Sequence, residues 1–399
     1  MNLPAIPAEF VLFALTLLGV ALLHSRALEV AAAGLVAITL YKLAVTGFHG
    51  VDGLPGLLAH LGAEWSVLAN LFMLLLGFAL LSRHFEESHV PRRLPDLLPD
   101  DWRGGFLLLA LVFVLSSFLD NIAAALIGGT VAKSVFRGRV HVGYIAALVA
   151  AANAGGAGSV IGDTTTTMMW IDGVSPLSVL HAYVAGGVAL VVCGIPAALQ
   201  QQRYSPIEVA DLERAAVDWP RVAIVSIILL AAITANVLGN LRFAEHTHHV
   251  PFIGLAIWLA ILATAGWRRP DWAALPAALR GTVFLLCLVT SASMMPVETL
   301  PPASWHSAFG LGFVSAVFDN IPLTKLALEQ GGYDWGVLAY AVGFGGSMIW
   351  FGSSAGVAIS SLYPEARSVW GWLKSGWHVT LAYVLGFAAL LLTLGWQPG

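Results

Sequence analysis

An Asp-Asn pair inside an apolar run occurs twice in this chain, and each pair is followed by a similar glycine-broken stretch. Ser116-Ser117-Phe118-Leu119-Asp120-Asn121-Ile122 recurs as Ser315-Ala316-Val317-Phe318-Asp319-Asn320-Ile321. Downstream, Gly155-Gly156 and Gly162-Asp163-Thr164 are separated by five residues, as are Gly345-Gly346 and Gly352-Ser353-Ser354. A carboxylate or an interrupted helix is costly in lipid unless it lines a polar site or is buried in protein. A chain that carries both features twice is expected to be built from two repeats around a polar site.

The surroundings of these motifs place them in a membrane. Of 399 residues, 58% are hydrophobic and 11% charged, against about 25% charged in soluble domains. Apolar runs near the ~20 residues that cross a bilayer recur along the whole length. Spans are predicted at 8–24, 27–47, 64–82, 177–200, 219–241, 252–267, 281–296 and 376–396. The fold class is an all-α polytopic membrane protein, since a β-barrel would show short alternating segments. The first run follows Glu9 and lacks a basic leader, so it reads as a retained span. Cys193 and Cys287 read as small buried hydrophobes. Tryptophans near span ends, such as Trp102, Trp219 and Trp377, read as interfacial anchors.

The basic residues set the predicted topology. If the two Asp-Asn runs are re-entrant hairpins and Arg26 is cytoplasmic, sixteen of the 19 Lys and Arg face the cytoplasm. If both runs are full crossings, only eight do. The positive-inside rule favours hairpins. Each half then reads as three helices, a re-entrant hairpin, a broken helix and a last helix. Five crossings per half make the repeats inverted, with the N-terminus outside.

The first repeat is 1–200, with its hairpin at 105–136 and broken helix at 141–171. A polar connector, 201–218, leads to the second repeat, 219–399, with its hairpin at 304–330 and broken helix at 333–363. The stretch 83–104 reads as a surface arm.

Two hairpin tips and two breaks are expected to meet near the midplane. Carboxylate, amide, hydroxyl and carbonyl oxygens form a ligand set for a hard cation. The first predicted site is Asp120, Asn121, Asp163 and Thr164; the second is Asp319, Asn320, Ser353 and Ser354. Asp120, Asp319 and Asp163 could each also serve as a helix cap. Thr165 is a further plausible ligand, whereas Thr166 and Thr167 read as bonded back to the helix. Asn153 and Ser159 are either packing residues or ligands. Lys325 is either an ion-pair partner of Asp319 or a snorkelling residue. His246-Thr247-His248-His249 reads as a solvated loop rather than a metal site.

Asp120-Asn121-Ile122, the run Ala152-Asn153-Ala154-Gly155-Gly156 and the run Gly162-Asp163-Thr164-Thr165-Thr166-Thr167-Met168-Met169-Trp170 resemble the ion transporter superfamily. That superfamily includes sodium-coupled dicarboxylate carriers, arsenite-pump subunits and NhaD-type sodium/proton antiporters; the resemblance is strongest to the NhaD type. It implies a homodimer in the cell inner membrane in which a transport domain moves past a scaffold. The carboxylate carriers have Ser-Asn-Thr motifs at both hairpin tips, where this chain has Asp.

The reading is a secondary transporter, not an enzyme, that exchanges Na⁺ or Li⁺ for H⁺ at Asp120, Asp163 and Asp319 and needs no cofactor. The alternative is a sodium-coupled carrier of citrate or another small carboxylate, or an arsenite efflux carrier. A non-transporting scaffold would not need carboxylates at membrane depth. No nucleotide-binding loop is present to supply ATP drive, and no nucleic-acid partner is expected.

Overall fold

The computed structural model describes residues 7–23, 26–48, 50–207, 216–242 and 250–399. Among these, the regular structure is helical, with a single isolated bridge between Phe48 and Val51. The histidine cluster at 246–249 lies outside the described residues.

Three helices come first: α1 (Ala8–Leu22), α2 (Ala27–Tyr41), continued by a π-helical turn (Lys42–Thr46), and α3 (Gly53–Glu87). A 3₁₀ arm (Val90–Leu97) leads to a pair, α4 (Trp102–Ser116) and α5 (Asn121–Val135), joined at Asp120. Then follow a broken helix, α6 (Val142–Ala157) and α7 (Thr164–Ile171), and a last element, α8 (Pro176–Leu180) with α9 (Ala182–Tyr204).

The same order returns. Three helices, α10 (Trp219–Arg242), α11 (Phe252–Thr264) and α12 (Leu275–Ser293), precede a pair, α13 (Trp305–Ser315) and α14 (Asn320–Gln330). A broken helix follows, α15 (Trp335–Gly345) and α16 (Ser354–Leu362), and the chain ends with α17 (Val369–Ser375) and α18 (Trp377–Leu394). Among the described residues, six helices are long and apolar enough to cross a membrane.

Helix α3 departs from its predicted extent. It begins at Gly53 rather than at 64 and runs for 35 residues. Pro55 and the glycines at 53, 56 and 62 suggest a loop, but proline is compatible with a first helical turn. His60 within this added stretch hydrogen-bonds the Ser293 hydroxyl at 3.0 Å.

The chain divides into two compact units. One comprises Met1–Leu80, Ser226–Pro302 and Ile321–Gly331; the other comprises Leu81–Val225, Ala303–Asn320 and Gly332–Gly399.

In the first unit, small residues bring helices together. A Cβ on Gly34 would overlap Thr16, and one on Gly77 would overlap Ile257. Two lysines are buried there. Lys42 donates to the Met294 carbonyl at 2.9 Å and lies over the Phe48 ring. Lys325 lies 2.8 Å from Glu64 and 2.6 Å from Glu329. The expectation that Lys325 partners Asp319 or snorkels is therefore corrected. Two carboxylates hold its ammonium, and one of them is the i+4 neighbour on its own helix.

In the second unit, α6 and α15 form the centre. Every residue from Gly143 to Ala157 and from Gly336 to Gly345 is buried. A helix apolar on all sides belongs in an interior. Alanine and glycine along α6 let neighbouring backbones approach closely. A Cβ on Gly155 would overlap the Phe113 carbonyl, and one on Gly345 the Gly312 carbonyl. These glycines press each broken helix against the first arm of the pair that precedes it.

Candidate ion-binding site

All the predicted site residues fall in the second unit. They come from four places: the α4–α5 tip, the α6–α7 break, the α13–α14 tip and the α15–α16 break.

Helix α4 ends at Ser116 and α5 begins at Asn121, while α13 ends at Ser315 and α14 begins at Asn320. Asp120 is the residue before α5, with extended backbone (φ −52°, ψ 140°) and no side-chain capping hydrogen bond. Its carboxylate nonetheless faces the Asn121 and Ile122 backbone N–H groups at the start of α5, so a capping role stands beside a ligand role. Asn121, the first residue of α5, is buried and donates through Nδ2 to Asn153 Oδ1 at 3.1 Å and Asp163 Oδ2 at 3.2 Å.

Asp163 does cap. Its Oδ1 accepts the Thr165 N–H at 3.0 Å, which leaves Oδ2 for Asn121. Asp163 is buried. The Thr165 hydroxyl is buried beside it, while Thr164 is half-buried. Thr166 and Thr167 donate to the Asp163 carbonyl, each at 2.9 Å, and so hold the break itself, as their back-bonded reading expects.

The second break has the same construction. Ser353 caps α16, its Oγ accepting the Gly356 N–H at 3.2 Å. Ser354 donates to Asp319 Oδ2 at 3.2 Å, so the tip carboxylate and the break hydroxyl meet. Asn320 lies buried at the start of α14.

Asn153 joins Asn121 of the first predicted site to Ser353 of the second. Its side chain is fully buried in α6. Oδ1 accepts from Asn121, and Nδ2 donates to Ser347 Oγ at 2.9 Å and Ser353 Oγ at 3.0 Å. The sequence left Asn153 open between packing and ligation, and gave no sign of Ser347. At the place matching Asn153 the second half has Gly343, where an added Cβ would sit 3.7 Å from Asp163 Oδ2. Ser347 is also anchored from behind, its carbonyl accepting the buried Trp372 indole N–H at 3.0 Å.

Neither Asp120 nor Asp163 has a basic ion-pair partner among the described residues, and Lys325 is occupied by Glu64 and Glu329. The donor set is carboxylate, amide and hydroxyl oxygen. Among the described residues, no cluster of three or more His, Cys, Asp or Glu side chains suits a metal ion. Oxygen donors from several residue types suit a hard monovalent cation better than a transition metal.

A family described as citrate transporter (CitMHS) matches residues 10–345. This chain belongs to the citrate-transporter family. Membership makes it a membrane transporter rather than an enzyme.

Relatives within reach of this family member bear antiporter names. It is 29% identical over 358 residues to sodium/proton antiporter 1 of Arabidopsis thaliana, covering 79% of this chain. It spans 58% of the length of that protein. It is 28% identical over 320 residues to sodium/proton antiporter 2 of the same plant, covering 70% of this chain and 74% of that one. It is 26% identical over 349 residues to the Na⁺/H⁺ antiporter NhaD of Alkalimonas amylolytica, covering 73% of this chain and 68% of that one.

Proposed function

We propose that this protein exchanges Na⁺ or Li⁺ for H⁺ across the cell inner membrane. The observation that carries the reading is the oxygen cluster joined by Asn153, with no base paired to Asp120 or Asp163 among the described residues. Burial disfavours a charged carboxyl and a nearby cation favours it. A sodium ion and a proton therefore compete for the same oxygens. That competition couples the two ions without a separate gate. Asp120, Asn121, Asp163, Thr164 and Thr165 supply one side of the site. Asp319, Asn320, Ser353 and Ser354 supply the other.

The unit that holds this cluster is the transport domain in this reading, and the protein works as a homodimer. The tips are re-entrant, the halves are inverted and the N-terminus is outside. Support comes from the charge distribution and from the element order that runs twice. A single cysteine at Arg137 and another at Arg92 should react with an impermeant thiol reagent only from the cytoplasmic side. Reaction at 137 from outside would make 105–136 a true crossing.

The family description favours a second reading, sodium-coupled carriage of citrate or another small carboxylate. An anion would need free N–H groups at the helix starts in the breaks. Here the Thr165 N–H is taken by Asp163 and the Gly356 N–H by Ser353, which supports the cation reading. Proteoliposomes with an imposed Na⁺ gradient and an internal pH dye separate the two. Sodium-driven pH change without carboxylate supports exchange. Sodium-dependent citrate uptake without a pH signal supports the carrier.

A further inference from the structure

A cavity of about 650 Å³ lies between the 3₁₀ arm and the second helix of the first hairpin, within one compact unit. It shares no residue with the ion cluster. One wall is apolar and belongs to α5: Leu126, Ile127 and Val131. The other carries Arg83, Glu86 and Arg92. Its volume falls within the ~300–1,000 Å³ of ligand-sized sites.

The two guanidinium groups are not equivalent. Arg83 is bound to Glu86 at 2.7 Å. Arg92 is exposed and has no acidic partner among the described residues. The arm that presents it is fixed in place. His89 adopts a left-handed conformation (φ 62°), its ring Nδ1 lies 3.1 Å from the Ala216 carbonyl, and Leu94 and Pro95 are buried beneath. Leu97 on the same arm is 60% exposed. An arm with exposed leucine beside arginines suits the boundary between headgroups and acyl chains.

The level of the cavity agrees. Helix α3 has 35 residues, about 52 Å at 1.5 Å per residue. That exceeds the ~30 Å of hydrocarbon, so its last turns, with Arg83 and Glu86, stand at the headgroup layer. The α5 wall runs from there back toward Asn121.

We infer that this cavity holds an anionic glycerophospholipid, with the phosphate at Arg92 and an acyl chain along Leu126, Ile127 and Val131. A free anion would leave the apolar wall bare, and a zwitterionic lipid would leave Arg92 without net compensation. Basic pockets beside membrane helices bind acidic headgroups for this reason. The lipid braces the hairpin from the face opposite its protein contact. On that other face, Gly129 of α5 lies against Ile359, and its carbonyl accepts the Tyr363 hydroxyl at 2.7 Å. An occupant of the cavity thus holds the helix that begins at Asn121.

The full chain, purified in detergent with phosphatidylglycerol and phosphatidylcholine in equal amounts, tests this by native mass spectrometry. The wild type should retain phosphatidylglycerol in preference. Arg92→Gln should lower that retention about fivefold, the effect of one basic side chain near a headgroup, and leave phosphatidylcholine unchanged. Arg93→Gln, outside the cavity lining, should change neither. Thr130→Trp, which fills the cavity from an exposed position on α5, should lower retention of both lipids. Phosphatidylglycerol should also raise the unfolding temperature of the wild type and not of Arg92→Gln. Equal losses for Arg92→Gln and Arg93→Gln would mean diffuse charge attraction and overturn the site. So would displacement of the lipid by millimolar inorganic phosphate, or retention unaltered by Thr130→Trp.

Discussion

Asn153→Ala is the perturbation that reaches furthest into the proposed mechanism. The amide makes three buried hydrogen bonds: one from Asn121, one to Ser347 and one to Ser353. Side-chain hydrogen bonds contribute about 0.6 kcal/mol each in a membrane protein and about 1 kcal/mol in soluble ones. Loss of all three costs roughly 2–3 kcal/mol. The loss falls partly on folding and partly on cation binding. Expressed entirely in binding it would be roughly 30- to 150-fold. Asn121 keeps Asp163, and Ser353 keeps the Gly356 N–H, so each half should remain folded. What is lost is the tie that sets one half against the other. The half-saturating Na⁺ concentration for proton movement in proteoliposomes should rise at least fivefold, with a modest fall in unfolding temperature. An unchanged half-saturation with a lowered unfolding temperature would refute the reasoning. It would make Asn153 a packing residue that the ion site does not need.

Other expectations follow from the same geometry. The first half has two carboxylates, Asp120 and Asp163, whereas Ser353 at the matching place in the second carries no charge. Neighbouring acids titrate as a group, so Asp163→Asn should move the pH profile of transport further than Ser353→Ala; equal shifts would deprive the asymmetry of meaning. Gly155→Ala drives a methyl into the Phe113 carbonyl and should cost about 1–3 kcal/mol in thermal stability, whereas Gly187→Ala, with open space around it, should cost almost nothing. Lys325→Met strands Glu64 and Glu329 and should destabilise by about 3 kcal/mol. Adding Glu64→Gln should recover part of that, and a double-mutant cycle measures how much.

Much of the site was legible because polar residues in apolar runs are rare. Asp120, Asn121, Asp163, Asp319 and Ser353 stand out for that reason, and the repeat pairs them. The repeat also concealed something. Asn153 has glycine at its matching position, and Ser347 has Ala157 at its own, so comparison of the halves flagged neither. Both act across the halves, which is a tertiary fact. Ser347 sits in Phe344-Gly345-Gly346-Ser347-Met348, where one hydroxyl among glycines carries no periodic signal.

The fold shows the same division. The interruptions at Asp-Asn and the breaks at Gly-Gly were visible in the sequence, while the start of α3 was not, since Pro55 reads locally as a loop and only packing makes it helical. For Lys325, attention to Asp319 obscured the i+4 carboxylate Glu329, a local cue that was present. Its second partner, Glu64, lies far earlier in the chain and no pattern links the two.

The most direct measurement uses purified protein in liposomes loaded with Na⁺ and a pH dye, diluted into Na⁺-free buffer with no carboxylate present. The account predicts acidification of the lumen as Na⁺ leaves in exchange for H⁺. Li⁺ should serve as well, and Asp163→Asn should weaken the signal strongly. Wild-type acidification in Asp120→Asn, Asp163→Asn and Asp319→Asn alike would contradict it, as would a silent dye in vesicles that take up labelled citrate.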